Sequence, residues 1–171
     1  MNPIANSFVI QLQHEIISTR KMLERVPDDK LDWKPHAKSM SLGQLSSHIA
    51  DLLIFLAAIV DTQNFDFAKH YTQSPVAANA AELVARLDAN YALAISKLQE
   101  TNDDYLKQEW SFSMGEQPIA KMPGMGAIRA FATSHLIHHR GQLSVYLRML
   151  DVSVPSIYGP SADENPFAAA A

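Results

Sequence analysis

The chain has no cysteine among its 171 residues. This absence excludes a protein thiol nucleophile, a disulfide bond and a zinc knuckle. Any metal site in this protein must therefore use nitrogen and oxygen ligands. A cysteine-free composition is also typical of proteins that function in the cytoplasm.

Positive charge is scarce as well. Charged residues make up 19% of the chain, and the formal net charge is -4. The densest basic positions are the pair Arg20-Lys21 and the nearby Arg25. Because a nucleic-acid-binding domain normally presents a basic surface, the composition argues against DNA or RNA as a partner.

The sequence has few long apolar runs. Its most apolar stretch, residues 52–60, has about half the length that a membrane-spanning helix needs, which is roughly 20 residues. The first eight residues show no basic segment followed by an apolar one, so we expect no signal peptide. These features predict a cytoplasmic protein without a membrane partner.

Three common catalytic motifs are missing: a glycine-rich phosphate loop, G-x-S-x-G and H-E-x-x-H. What the chain does contain is apolar periodicity, with 47% hydrophobic residues. Length and composition together predict one globular domain over residues 1–171.

The apolar residues recur with helical spacing in four long segments, and no regular run of strands is apparent. The predicted helices cover about residues 3–25, 41 to 61–64, 79–101 and 125–150, with one further turn at 104–108. Ser41 and Gln44 form a capping-box pattern at the start of the second helix. Residues 110–122, centred on Gly115, predict a short hairpin or an irregular excursion, and residues 152–164 an irregular tail. The predicted fold is all-α, a four-helix bundle with a short irregular or hairpin insertion before the last helix. The long link of residues 62–78 would allow a crossover connection.

Histidines supply the candidate chemistry. His135 and His139 are four residues apart, so their side chains share one helix face. His138, three residues from His135, also shares that face, and spacing leaves open which of the two acts with His135. His48 lies on the apolar stripe of the second helix, between Leu45 and Leu52. A bundle can bring these helices together, so a three-histidine metal site with open positions is feasible. The alternative is that each histidine is a hydrogen-bonded core residue.

Several other polar residues are weaker candidates. Glu15, Asp51 and Glu164 are possible general bases, and Asp51 could also orient the His48 ring. Glu15 with the adjacent His14 could equally be a solvated pair. Arg140 and Gln142 could contact substrate or orient the tail, although Arg140 is as well explained as an ion-pair partner. His36 and His70 lie in links and look incidental.

The order of motifs along the chain resembles the DinB/YfiT-like superfamily of small metal-binding four-helix bundles. The segments that carry the resemblance are Leu-Asp-Trp-Lys-Pro at 31–35, Ser-Met-Ser-Leu-Gly-Gln-Leu at 39–45, His48, the run from His135 to Leu143, Tyr-Leu-Arg at 146–148, and the tail at 155–164. Each segment alone is a weak signal, but their combined order spans almost the whole chain.

The resemblance implies one divalent metal ion per chain, zinc or nickel, held by three histidines. By position these are His48, His135 and His139, since the family's last ligand directly precedes an Arg-Gly-Gln run. It also implies a homodimer, in keeping with apolar residues on two sides of the fourth helix, including Phe131, Val145 and Met149. Members similar to this chain split by activity. Some are thiol-dependent S-transferases or isomerases that use bacillithiol, mycothiol or glutathione, others are described as metal-dependent hydrolases, and many have no assigned reaction. A non-catalytic metal-binding role in a stress response is the third expectation.

Overall fold

The computed structural model describes residues 2–167, so Met1 and residues 168–171 of the predicted domain lie outside the described residues. The helices are α1 (Pro3–Leu23), α2 (Leu42–Asp51), α3 (Leu53–Asp61), α4 (Phe67–His70), α5 (Ala80–Glu100), α6 (Asp103–Lys107), α7 (Gly124–Ile128) and α8 (Ser134–Met149). A single 3-10 turn, Asp28–Lys30, follows α1, and a π-helical segment, Arg129–Thr133, joins α7 to α8. The strands are β1 (Asn64–Asp66), β2 (Glu109–Met114) and β3 (Gln117–Pro123).

Four rods form the bundle: α1, the pair α2–α3, α5, and the run from α7 through the π segment to α8. Helix α5 packs against α1, α2 and α3, while α8 packs against α1 and α2. Each rod buries large apolar side chains, among them Phe8, Leu12, Leu45, Ile49, Leu56, Leu83, Leu87, Leu136 and Leu143. Because these residues recur at helical spacing, they give each rod an inward stripe. The predicted four-helix bundle is confirmed.

Helix starts follow the local capping chemistry. The Ser41 hydroxyl accepts a hydrogen bond from the Gln44 amide at 3.2 Å, and the Gln44 side chain accepts one from the Ser41 amide at 2.8 Å. At α5, the Asn79 side chain accepts from the Glu82 amide at 2.8 Å. Each contact satisfies an amide that the first helical turn leaves without a partner. The predicted beginnings of the second and third helices are therefore confirmed.

The insertion before the last rod forms a hairpin, which is one of the two alternatives that the sequence left open. Strands β2 and β3 pair antiparallel, and Gly115, with φ +58°, lies in the turn between them. Strand β1 adds a third, parallel strand beside β2, with Phe65 opposite Phe112. We did not predict β1, because three residues are too few to show the alternation of a strand. The Gly115 amide donates to the Asp66 carboxylate at 2.8 Å, which ties the link after α3 to the hairpin.

The second rod, Leu42–Asp61, is long and apolar enough to cross a membrane by length and composition. However, 61% of its most apolar window is buried inside the bundle. This pattern is that of a core helix in a globular domain.

The structure also corrects the fourth rod, which we predicted as one regular helix. The ring of Phe131, in the π segment, packs on Trp110 and Phe112 of the chain's own sheet, so it is not part of a free apolar face.

Candidate metal centre

Three histidines from two helices converge at the contact between α2 and α8. His48 lies in α2, and His135 and His139 lie in the first two turns of α8. The Nε2 atoms of His135 and His139 are 2.9 Å apart, and those of His48 and His135 are 3.5 Å apart. Each ring offers one nitrogen within 4.8 Å of the other two. Among the histidine, aspartate and glutamate side chains of residues 2–167, these three histidines form the group that could hold a metal ion. The group contains no carboxylate.

The far sides of two rings are held by hydrogen bonds. The Nδ1 atom of His139 lies 2.7 Å from the Gln142 side-chain oxygen, and His135 bonds to the backbone carbonyl of Phe131. Both acceptors are oxygens, so each ring donates its Nδ1 proton and leaves Nε2 as a free lone pair. The tautomer that results is the one that lets an imidazole bind a metal ion through Nε2.

Local surroundings keep these rings neutral at pH 7. Burial, followed by repulsion from His139 and His135, lowers the pKa of His48 to about 4. Burial likewise lowers the pKa of His135 and the pKa of His139 from the ordinary value of 6.5. Metals bind the neutral ring, so no proton must be displaced near neutral pH. This set of nitrogen donors suits a divalent transition metal.

His138 occupies a different environment. It is exposed, and its ring centre lies 4.9 Å from that of His139, but it is not part of the converging set. The spacing of three residues from His135 had left it as a competing candidate. The structure places His139, and not His138, beside His48 and His135.

Comparison with known proteins addresses which family has this architecture. Residues 1–166 match the sequence family described as the DinB family. The chain belongs to the DinB family. It is also similar to the uncharacterized protein YrdA of Bacillus subtilis (strain 168), with 26% identity over 157 residues, 92% of this chain and 89% of YrdA.

Two crystal structures show the same fold. A DinB-like protein from Bacillus cereus ATCC 10987 superposes with a TM-score of 0.70 at 24% identity, over 90% of this chain and 97% of that one. The DinB-like protein YjoA of Bacillus subtilis gives a TM-score of 0.70 at 21% identity, over 88% and 97%. At these identities the likeness supports the bundle fold of this DinB protein and nothing finer.

The three acidic residues considered as general bases have other partners in this DinB protein. Asp51 lies 3.6 Å from Arg86 and accepts a hydrogen bond from Asn90 at 3.5 Å. Glu15 pairs with Arg140 at 2.7 Å. Glu164 pairs with Arg25 and accepts from the Ser156 amide at 3.0 Å.

Gln142 is the residue whose role we did not predict. We considered it as a substrate contact or a support for the tail, and the structure instead places its oxygen on the His139 ring. The signal was available, because residues three apart share a helix face. The second support, the Phe131 carbonyl, has no side-chain signature and could not be found from sequence.

Proposed function

We propose that His48, His135 and His139 of this DinB protein bind one divalent metal ion, zinc or nickel. The observation that supports this most strongly is the convergence of three Nε2 atoms, on rings that are neutral near pH 7. Two Nε2 lone pairs 2.9 Å apart, as on His135 and His139, repel each other unless a cation or a proton lies between them. A three-histidine set leaves coordination positions open, which is the arrangement of a catalytic metal rather than a structural one.

We further propose that the protein is a thiol S-transferase that acts on an electrophilic small molecule. A bound divalent ion would supply a Lewis-acid centre that favours the thiolate form of a low-molecular-weight thiol. The chain has no cysteine, so the reacting sulfur must arrive with the cosubstrate. With a chloroaromatic substrate, a carbon–sulfur bond forms, a carbon–chlorine bond breaks, and chloride and the thiol proton are released.

The contacts of the three candidate general bases favour transfer over hydrolysis. A hydrolase of this type needs a general base to take a proton from water. Glu15, Asp51 and Glu164 each contact a basic side chain elsewhere in the protein. A thiol cosubstrate needs less assistance, because its pKa is already much closer to neutral than that of water.

A cytoplasmic location is part of the same proposal. It is supported by the absence of cysteine and by the burial of the rod Leu42–Asp61, which is the one rod within residues 2–167 that is apolar enough to span a membrane. Low-molecular-weight thiols are kept reduced in that compartment.

Metal content tests the centre itself. Elemental mass spectrometry should find about one zinc or nickel per chain in the wild type, and a loss in His48→Ala, His135→Ala and His139→Ala. The matched control, His138→Ala, should keep its metal because that ring is exposed and outside the cluster. No metal in the wild type after reconstitution would mean that the histidines are core residues.

Turnover tests the reaction. The metal-loaded protein is mixed with bacillithiol, mycothiol or glutathione and with a chloroaromatic or an epoxide, and compared with the metal-free protein. A thioether product whose rate follows metal content is the expected result. No rate above the metal-free protein with any of the three thiols would contradict the transferase. Turnover of an ester or amide that follows metal content would instead identify a hydrolase, and bound metal without turnover would identify a non-catalytic metal protein.

A further inference from the structure

Arg140 follows His139 in the chain, but its side chain contacts α1, whereas His139 faces His48 on α2. Its side chain is 1% exposed, the lowest value for any charged side chain among the described residues. One guanidinium nitrogen donates to the Glu15 carbonyl at 3.2 Å and to the Thr19 hydroxyl at 3.1 Å. The other lies 2.7 Å from the Glu15 carboxylate. Arg140 therefore fastens α8 to two successive turns of α1.

A buried ion pair of this kind is poorly explained by stability alone. The cost of removing both charges from water offsets most of their attraction, and apolar residues of similar volume often give an equally stable core. What Arg140 does supply is direction, because one guanidinium nitrogen bonds both the Glu15 carbonyl and the Thr19 hydroxyl, one turn apart on α1. The pair is therefore better explained by a feature of α8 that depends on how this helix is oriented against α1.

The histidine cluster depends on the orientation of α8. Successive residues are about 100° apart around a helix, so the face that meets α1 through Arg140 fixes where the His139 face points. His139 and His135 must meet His48 on α2. Ligand atoms of a metal site must be held within about 0.5 Å of their working positions. A small rotation of α8 about its own axis would exceed that limit.

The C-terminal tail completes the anchor. The Tyr158 hydroxyl donates to the Glu15 carboxylate at 2.6 Å, and its ring lies over the Arg140 guanidinium at 5.3 Å. Partial desolvation of the hydroxyl and its hydrogen bond to Glu15 raise the pKa of Tyr158, although the residue as a whole is 70% exposed, so its phenol remains a hydrogen-bond donor. One tail residue thus contacts both members of the buried pair.

We propose that Arg140 is a positioning residue for the metal centre: with Glu15, Thr19 and Tyr158 it sets the rotation of α8 at which His135 and His139 face His48. This inference depends on the metal binding proposed above. It assigns the tail a role in the site although the tail supplies none of the three histidines.

The test measures metal affinity and ligand geometry in the full-length protein. Zinc affinity is determined by competition with a chelator, and the visible spectrum of the cobalt-loaded protein reports the geometry of the ligands. Arg140→Met should weaken zinc binding about 10- to 100-fold, the usual effect of losing a support for metal ligands, and should alter the cobalt spectrum. Arg140→Lys, which keeps the charge but not the planar fork, should fall between Arg140→Met and the wild type. Tyr158→Phe removes one hydrogen bond and keeps the ring, so its effect should be smaller.

Arg148→Met is the matched control. Arg148 is also on α8 and also binds the tail, through Asp163, but its side chain is half exposed and it contacts neither member of the buried pair. Zinc affinity and the cobalt spectrum should remain those of the wild type. Glu15→Gln combined with Arg140→Met removes the buried carboxylate that Arg140→Met alone would leave unpaired, so a folded variant is available for measurement.

The two failures are distinguishable. If the wild type binds no zinc or cobalt, the proposed metal centre is wrong. If the wild type binds them and a folded Arg140→Met or double variant has the same affinity and spectrum, only the positioning role is wrong. A lower melting temperature with an unchanged cobalt spectrum would also overturn it, because it would show a purely structural role.

Discussion

At the residue scale, metal binding depends on which nitrogen each imidazole presents. The Gln142 side-chain oxygen accepts a hydrogen bond from Nδ1 of His139, and the Phe131 carbonyl accepts one from His135, so both rings present Nε2. No such partner is needed to bring the rings together, since the helices do that. These hydrogen-bond partners determine whether the Nε2 atoms that face a cation carry a lone pair or a proton.

Gln142→Ala should therefore weaken zinc binding about 10-fold or more while leaving the fold intact, because residues that support metal ligands typically contribute 10- to 100-fold in affinity. The His139 ring would lose its 2.7 Å acceptor and sample both tautomers. Chelator competition measures the change. His138→Ala, one turn earlier and exposed, is the comparison, and equal affinities for the two variants would contradict the role of Gln142.

Acid should destabilise the metal-free protein through His48. In the unfolded chain a histidine has its ordinary pKa of 6.5, whereas burial lowers the pKa of His48 in the folded protein to about 4. Between these values the unfolded chain binds more protons, so the free energy of unfolding falls as the pH drops from 6.5 towards 4. Urea unfolding in the presence of a chelator should show a shallower fall for His48→Gln, which cannot titrate. Parallel pH curves for the two proteins would show that the pKa of His48 is not lowered.

The three site histidines could be predicted from the sequence because helical spacing and motif order carry that information. His139 and His138 could not be separated by spacing, since both lie within one turn of His135. The burial of one and the exposure of the other depend on how α8 rotates against α1, and that rotation involves Arg140 and Glu15, which are 125 residues apart. A contact of this range leaves no periodic signal.

At the element scale, the capping box of α2 fixes the frame in which His48 is presented. The reciprocal bonds of Ser41 and Gln44 begin the helix at Leu42, and His48 follows in its second turn. Cap chemistry is local, so this boundary could be predicted. Strand β1 and the π segment could not, because β1 depends on a partner 47 residues away, Ser111 beside Asn64, and the π segment on packing against the sheet.

Ser41→Ala should lower the free energy of unfolding by about 1 kcal/mol, within the usual range of roughly 0.5–2 kcal/mol for a lost N-cap. The Gln44 amide would be left without its acceptor. Ser144→Ala provides the control, because Ser144 is only partly buried within α8 and its hydroxyl bonds only the Gly141 carbonyl. Its effect should stay within about 0.5 kcal/mol. Urea unfolding of the metal-free proteins compares them, and equal losses would contradict the contribution of the cap.

At the scale of the whole molecule, α8 carries an exposed apolar face. Val145 and Met149 are 57% and 54% exposed, and their spacing of four residues places them side by side. Ile17 on the neighbouring α1 is 57% exposed. Large apolar side chains this exposed, side by side on one helix, are more typical of an interface than of a solvated surface.

We propose that this face joins two copies of the chain. Light scattering coupled to gel filtration should give about twice the chain mass of 18.9 kDa for the wild type. Val145→Glu combined with Met149→Glu should give the monomer mass, because each dimer would bury four carboxylates without partners. Ile119→Glu, equally exposed but on β3, should leave the dimer intact. Metal content should not change in either variant, since these residues lie outside the histidine cluster. A wild type that remains monomeric at the highest soluble concentration would refute the interface and leave the proposed metal centre untouched.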